Sequence, residues 1–88
     1  MKITDIVHAD TGKTRTDGNY PQRIGRVVEF FTEPNIGAPM MLLFPDTTGR
    51  SVGICCFTSE IQNIIETDTV IAVYTLNSVY YFEKNCGE

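Results

Sequence analysis

Eighty-eight residues, 42% of them hydrophobic and 20% charged, make room for one domain with a modest core and exclude both a disordered tail and a two-lobed enzyme cleft. No run approaches the roughly 18 apolar residues of a membrane span, and Met1-Lys2-Ile3-Thr4-Asp5 has no signal-peptide core, so a cytoplasmic protein with no membrane contact is expected. The net charge is −4, and the acidity is uneven: beyond residue 50 the one base, Lys84, faces Glu60, Glu66, Asp68, Glu83 and Glu88.

In chain order, Lys2–His8 reads as a first strand, rich in β-branched residues. Ala9–Pro21 is polar and holds two turn signals, Asp10-Thr11-Gly12 and Asp17-Gly18-Asn19, which predict a long loop or loose hairpin. Gln22–Thr32 alternates, with Ile24, Val28 and Phe30 on one face, and predicts a long strand. After a Pro34–Pro39 connector, the unbroken apolar run Met40–Phe44 predicts a buried strand. Asp46-Thr47-Thr48-Gly49 has Asp and Gly at the first and fourth positions of a type I turn, so it should close a hairpin onto Ser51–Phe57.

Ser59-Glu60-Ile61-Gln62 has the form of a capping box, and Ile61, Ile64 and Ile65 recur at helical spacing, predicting one short helix near 60–66. Thr69–Thr75 and Val79–Lys84 predict a closing hairpin across Leu76-Asn77-Ser78, with Asn77 supplying positive φ. The expected architecture over residues 1–88 is therefore a single, mainly β domain, a five- to six-stranded antiparallel barrel or roll in a Src-homology-3-like order; an open sheet backed by the helix is the competitor.

The chain has a single histidine, His8, no Gly-rich phosphate loop and no nucleophile elbow, so a non-enzymatic role is expected. Cys55, Cys56, Cys86 and His8 make the four soft ligands of a structural zinc site. Adjacent strand residues such as Cys55 and Cys56 point to opposite faces, however, and no Cys-x-x-Cys knuckle is present, so no cofactor is expected. Lys13, Arg15 and Arg23 give a local positive excess, and Tyr20 beside them offers a ring on which a base could stack, a possible phosphate or nucleic-acid contact.

The most informative feature is apolar character on both faces of the later strands, which requires a cover for the second face. Tyr74, Tyr80, Tyr81, Phe82 and Phe57 are the candidate interface residues, since large rings with polar tips suit a wet rim. Thr58-Ser59-Glu60-Ile61 and Thr75-Leu76-Asn77-Ser78-Val79-Tyr80-Tyr81-Phe82, with Tyr20-Pro21 and Arg23-x-Gly25, resemble small uncharacterised all-β proteins of gut bacteria and their phages or mobile elements. That resemblance implies a setting in which short accessory proteins bind and block another factor. The expected function is a protein-binding module that self-associates as a homodimer or takes a protein partner. The alternatives are nucleic-acid binding through the 9–26 region and a zinc-supported inhibitor of a nuclease.

Overall fold

A computed structural model describes residues 1–44 and 54–84, and over them the chain is mainly β. The strands are β1 (Lys2–His8), β2 (Glu29–Phe30), β3 (Pro39–Phe44), β4 (Ile54–Glu66), β5 (Val70–Thr75) and β6 (Ser78–Glu83). They form an antiparallel sheet in the order β1-β6-β5-β4-β3-β2, curled into a half-barrel. One short helix, α1, covers Tyr20–Arg23. The curl is stitched on one side by Met1–Ile3 lying against residues 25–28: Gly25 N–H donates to Ile3 O (2.7 Å), Ile3 N–H to Arg26 O (3.0 Å) and Val28 N–H to Met1 O (2.8 Å). The expected β3–β4 pairing is present, from Phe44↔Ile54 to Pro39↔Glu60. Its type I turn at 46–49 lies outside the described residues.

Two predicted elements, the helix at 60–66 and the long strand at 22–32, give way for identifiable reasons. There is no helix at 60–66, and β4 runs as strand through the whole segment. Asn63 pairs with Tyr74 and Ile61 with Thr75, so Gln62 is an extra residue on β4, a β-bulge. The bulge resets the two-residue alternation, placing Ile61 and Ile64 on the same face although they are three apart. An i,i+3 spacing that reads as helical is here the signature of a bulged strand. The capping-box residues serve other ends: Ser59 Oγ accepts Asn77 N–H at 3.3 Å, and Gln62 Nε2 donates to Glu60 O. A second extra residue lies on β4 between Phe57 and Glu60. Together the bulges let a 13-residue strand bend from β3 to β5.

The long strand expected over Gln22–Thr32 shrinks to Glu29–Phe30. Pro21 stands in the first turn of α1, where its missing N–H costs nothing, and Gly25 takes φ +90°, a left-handed value that interrupts an extended run. The helical turn of the Src-homology-3-like order thus falls in the first long connection rather than before the penultimate strand. That connection is the loose hairpin anticipated at 9–21: Gly12 (φ +74°) turns the chain, His8 N–H donates to Lys13 O, and Thr14 bridges back to Val7.

The β5–β6 hairpin forms as expected, without a positive φ at Asn77. Thr75 Oγ1 instead accepts Ser78 N–H (3.1 Å) and donates to Ser78 O (2.9 Å), doing with a side chain what a left-handed residue does with the backbone. The core occupies the concave face: Ile3, Ile6, Val28, Met40, Leu42, Phe44, Ile61, Ile71, Val73, Tyr80 and Phe82 form one buried cluster. Phe82 sits at its centre, edge-on to Phe30 (5.5 Å between centroids) and stacked with Tyr80 (6.3 Å). Burying a side chain of this size stabilises the fold by roughly 1.5–3 kcal/mol.

Candidate interaction surface

The register of β4, β5, β6 and β1 places the convex face residue by residue. Asn63, Tyr74, Val79 and Val7 lie in one row across the four strands; Ile65, Ala72, Tyr81 and Asp5 lie in the next. Val70 and Glu83 begin a third row, which ends on Lys2. Val7, Ala72 and Val79 are buried, Tyr74 and Tyr81 half-buried, and Ile65 and Val70 remain 48% and 37% exposed. The convex face is therefore apolar through Val7, Ala72 and Val79, with two phenols set into it and Asn63, Asp5, Glu83 and Lys2 around it. Tyr81 loses its proton only above the ordinary tyrosine value, chiefly because it is partly desolvated, and further because the Tyr74 hydroxyl and Asp5 carboxylate stand beside it. Asp5 is itself fixed, accepting Ile6 N–H at 2.9 Å and the Thr14 hydroxyl at 3.1 Å.

The five residues expected at an interface divide. Tyr74 and Tyr81 stand on the convex face. Tyr80 and Phe82 face inward, 2% and 0% exposed, and belong to the core, because β6 alternates and its even-numbered residues point into the curl. Phe57 pairs by backbone with Met41 on the β3 side of β4. Sequence alone does not mark Ile65 and Val70 as surface residues: Ile65 falls in the apparent helical spacing of Ile61, Ile64 and Ile65, and the Val70-Ala72-Tyr74 alternation is hidden by the equally apolar Ile71 and Val73 between them.

The residues expected at a phosphate contact are partly brought together. The Arg15 guanidinium lies 4.5 Å and that of Arg23 5.5 Å from the centre of the Tyr20 ring. Arg15 is engaged throughout: Nε donates to Ser78 Oγ (2.7 Å), one terminal nitrogen to Asp17 Oδ2 (2.9 Å) and the other to Asn77 O (2.8 Å). It pins the 9–17 loop to the β5–β6 turn. Lys13 is exposed, and Arg26 packs over the Phe44 ring at 5.1 Å.

Of the zinc set, His8 ends β1 opposite Ser78, with Nε2 3.8 Å from Asp17 Oδ1. Cys55 and Cys56 pair with Leu43 and Leu42 on the part of β4 that faces β3, three strands away in the sheet order. Cys86 lies outside the described residues. Among the described residues no cluster of three or more His, Cys, Asp or Glu side chains is arranged to hold a metal ion, and no helix is long and apolar enough to cross a membrane.

No protein-family model matches the chain, and no curated protein or solved structure is significantly similar to it.

Proposed function

We propose that this chain is a protein-binding module that self-associates through the convex face of β4, β5, β6 and β1. The observation that carries this reading is the placement of Ile65, Val70, Tyr74 and Tyr81 side by side across three strands on a face whose centre is already apolar. A one-sided sheet sets polar residues there; apolar residues on both faces call for a second layer. Half-buried tyrosines suit the margin of such a contact, burying ring area while the hydroxyl stays wet. A twofold pairing of two convex faces sets the same patch against itself, the commonest symmetry of small homo-oligomers.

The nucleic-acid alternative has less to rest on, because the nitrogens of Arg15 are engaged within the fold and Tyr20 already carries two guanidinium groups. An accessory or inhibitory role in a mobile element fits a protein whose chemistry is a binding face. Light scattering on the native chain and on Ile65→Lys/Tyr81→Ala tests the reading. A dimer mass for the first and a monomer mass for the second supports it; a monomer at every concentration for the native chain overturns it.

A further inference from the structure

A different surface carries a second inference, independent of the convex face. Beyond its bulge β4 leaves β3: the last contacts on that side are Ile61 N–H to Ala38 O (2.9 Å) and Gly37 N–H to Ile61 O (2.8 Å). From Asn63 to Glu66 the strand pairs with β5 alone, and among the described residues no strand pairs with its other edge. The Ile64 N–H donates to the neighbouring Asn63 side-chain oxygen, at 2.9 Å. Alternation then turns the Ile64 and Glu66 backbone groups toward the open edge while Asn63 and Ile65 face β5.

Exposed edges are commonly blunted by Lys, Pro or a bulge. Gln62-Asn63-Ile64-Ile65-Glu66 holds neither Lys nor Pro, and its bulge stands at the start rather than the middle. Beside this edge the half-barrel is open. A groove of about 370 Å³, lined by Phe30, Glu33, Pro34, Ile64, Glu66 and Ile71, separates β4 from the chain after β2. A second hollow, of about 420 Å³, shares Phe30 and Ile71 with it and extends toward Met1 and Lys84. Phe30, Pro34, Ile64 and Ile71 give the groove its apolar lining between Glu33 and Glu66; Glu33, Glu60, Glu66 and Asp68 are all exposed, and Lys84 pairs with Glu66 at 2.5 Å.

We propose that the Gln62–Glu66 edge of β4 is a strand-addition site for an extended segment of a partner protein, apolar at alternate positions and flanked by Lys or Arg. The open backbone groups supply hydrogen bonds that hold any extended chain, the groove takes the inward side chains, and the acids select the flanking charge. A second copy of this chain is a poorer occupant of this edge. Two such edges side by side would add the exposed Glu66 and Asp68 carboxylates of one copy to those of the other, a like-charge contact.

The test titrates the full chain, labelled with nitrogen-15, with the capped peptide Lys-Val-Thr-Val-Thr-Val-Lys at low salt. The expected result is saturable shifts at the amides of Gln62, Ile64 and Glu66. Binding by the version with Glu in place of both Lys should be about tenfold weaker or more. N-methylation of the central valine should abolish the shifts if that residue faces the edge, and N-methylation of a flanking threonine should do so if the register is the other one. Shifts absent from this edge, shifts confined to the Tyr74–Tyr81 face, or equal binding of the Lys and Glu peptides would overturn the proposal. The substitution Tyr81→Ala, on the convex face and outside the Gln62–Glu66 edge, weakens self-association and should leave peptide binding within about twofold. Loss of edge binding and loss of self-association are thus read separately.

Discussion

Tyr80 and Tyr81 are neighbours in one strand and do opposite things. Tyr80 stacks with Phe82 in the buried concave face, whereas Tyr81 stands half-exposed on the convex face beside Tyr74 and Asp5. The concave face is a core because the curl of the sheet and the Met1–Ile3 stitch to residues 25–28 close over it. On the convex face Val7, Ala72 and Val79 are buried, whereas Ile65 and Val70 stay open and Tyr74 and Tyr81 are only half-covered. Residue type therefore does not separate stability from binding in this domain; strand parity does, and the bulges set the parity.

Substitutions on the two faces should accordingly separate into those that unfold the protein and those that leave it folded. The largest effect is expected from Phe82→Ala, which removes the centre of the concave face; urea denaturation should show a loss of about 3–5 kcal/mol, a large part of a small domain's stability. Next comes Arg15→Ala. It takes away three hydrogen bonds and a ring contact and leaves the Asn77 carbonyl and Ser78 hydroxyl without this partner, for about 1–3 kcal/mol by the same measurement. Arg15→Lys should recover little of it, since an ammonium cannot span Ser78, Asn77 and Asp17 at once. Tyr81→Ala on the convex face should cost about 1 kcal/mol in a monomer while reducing self-association.

The smallest effect is a pH dependence. The folded state holds the Tyr81 proton more tightly than the unfolded chain does, so this contribution to stability is complete below the ordinary tyrosine value of 10.0 and is lost as pH rises through the higher folded value. Ultraviolet titration of tyrosinate should show Tyr81 ionising late, and Asp5→Asn should bring it earlier by removing a neighbouring negative charge.

Much of the fold was legible because strand signals are local. Lys2–His8 formed at the predicted boundaries, and Met40–Phe44, Thr69–Thr75 and Val79–Lys84 formed within a residue at each end. What misled were places where a single residue changes the geometry. Gln62 bulges and gives a strand a helical spacing, and Gly25 takes a left-handed turn inside an alternating run. The Thr75 side chain replaces a positive φ at Asn77. The interaction face was legible only in part, since Tyr74 and Tyr81 could be named from their chemistry but not separated from Tyr80 and Phe82 until the direction of β6 was fixed. Arg15 reads in sequence as a free base in a polar loop, and its partners Asn77 and Ser78 lie more than sixty residues away.

The central claim is that the convex face is a contact surface, and amide spectra of the native chain across a dilution series from millimolar to micromolar test it most directly. Association through this face predicts concentration-dependent shifts at Ile65, Val70, Tyr74 and Tyr81, with the core amides of Val73, Tyr80 and Phe82 moving far less. Unchanged spectra with the tumbling rate of a monomer over that range, or shifts centred on the 9–23 loop, would contradict it.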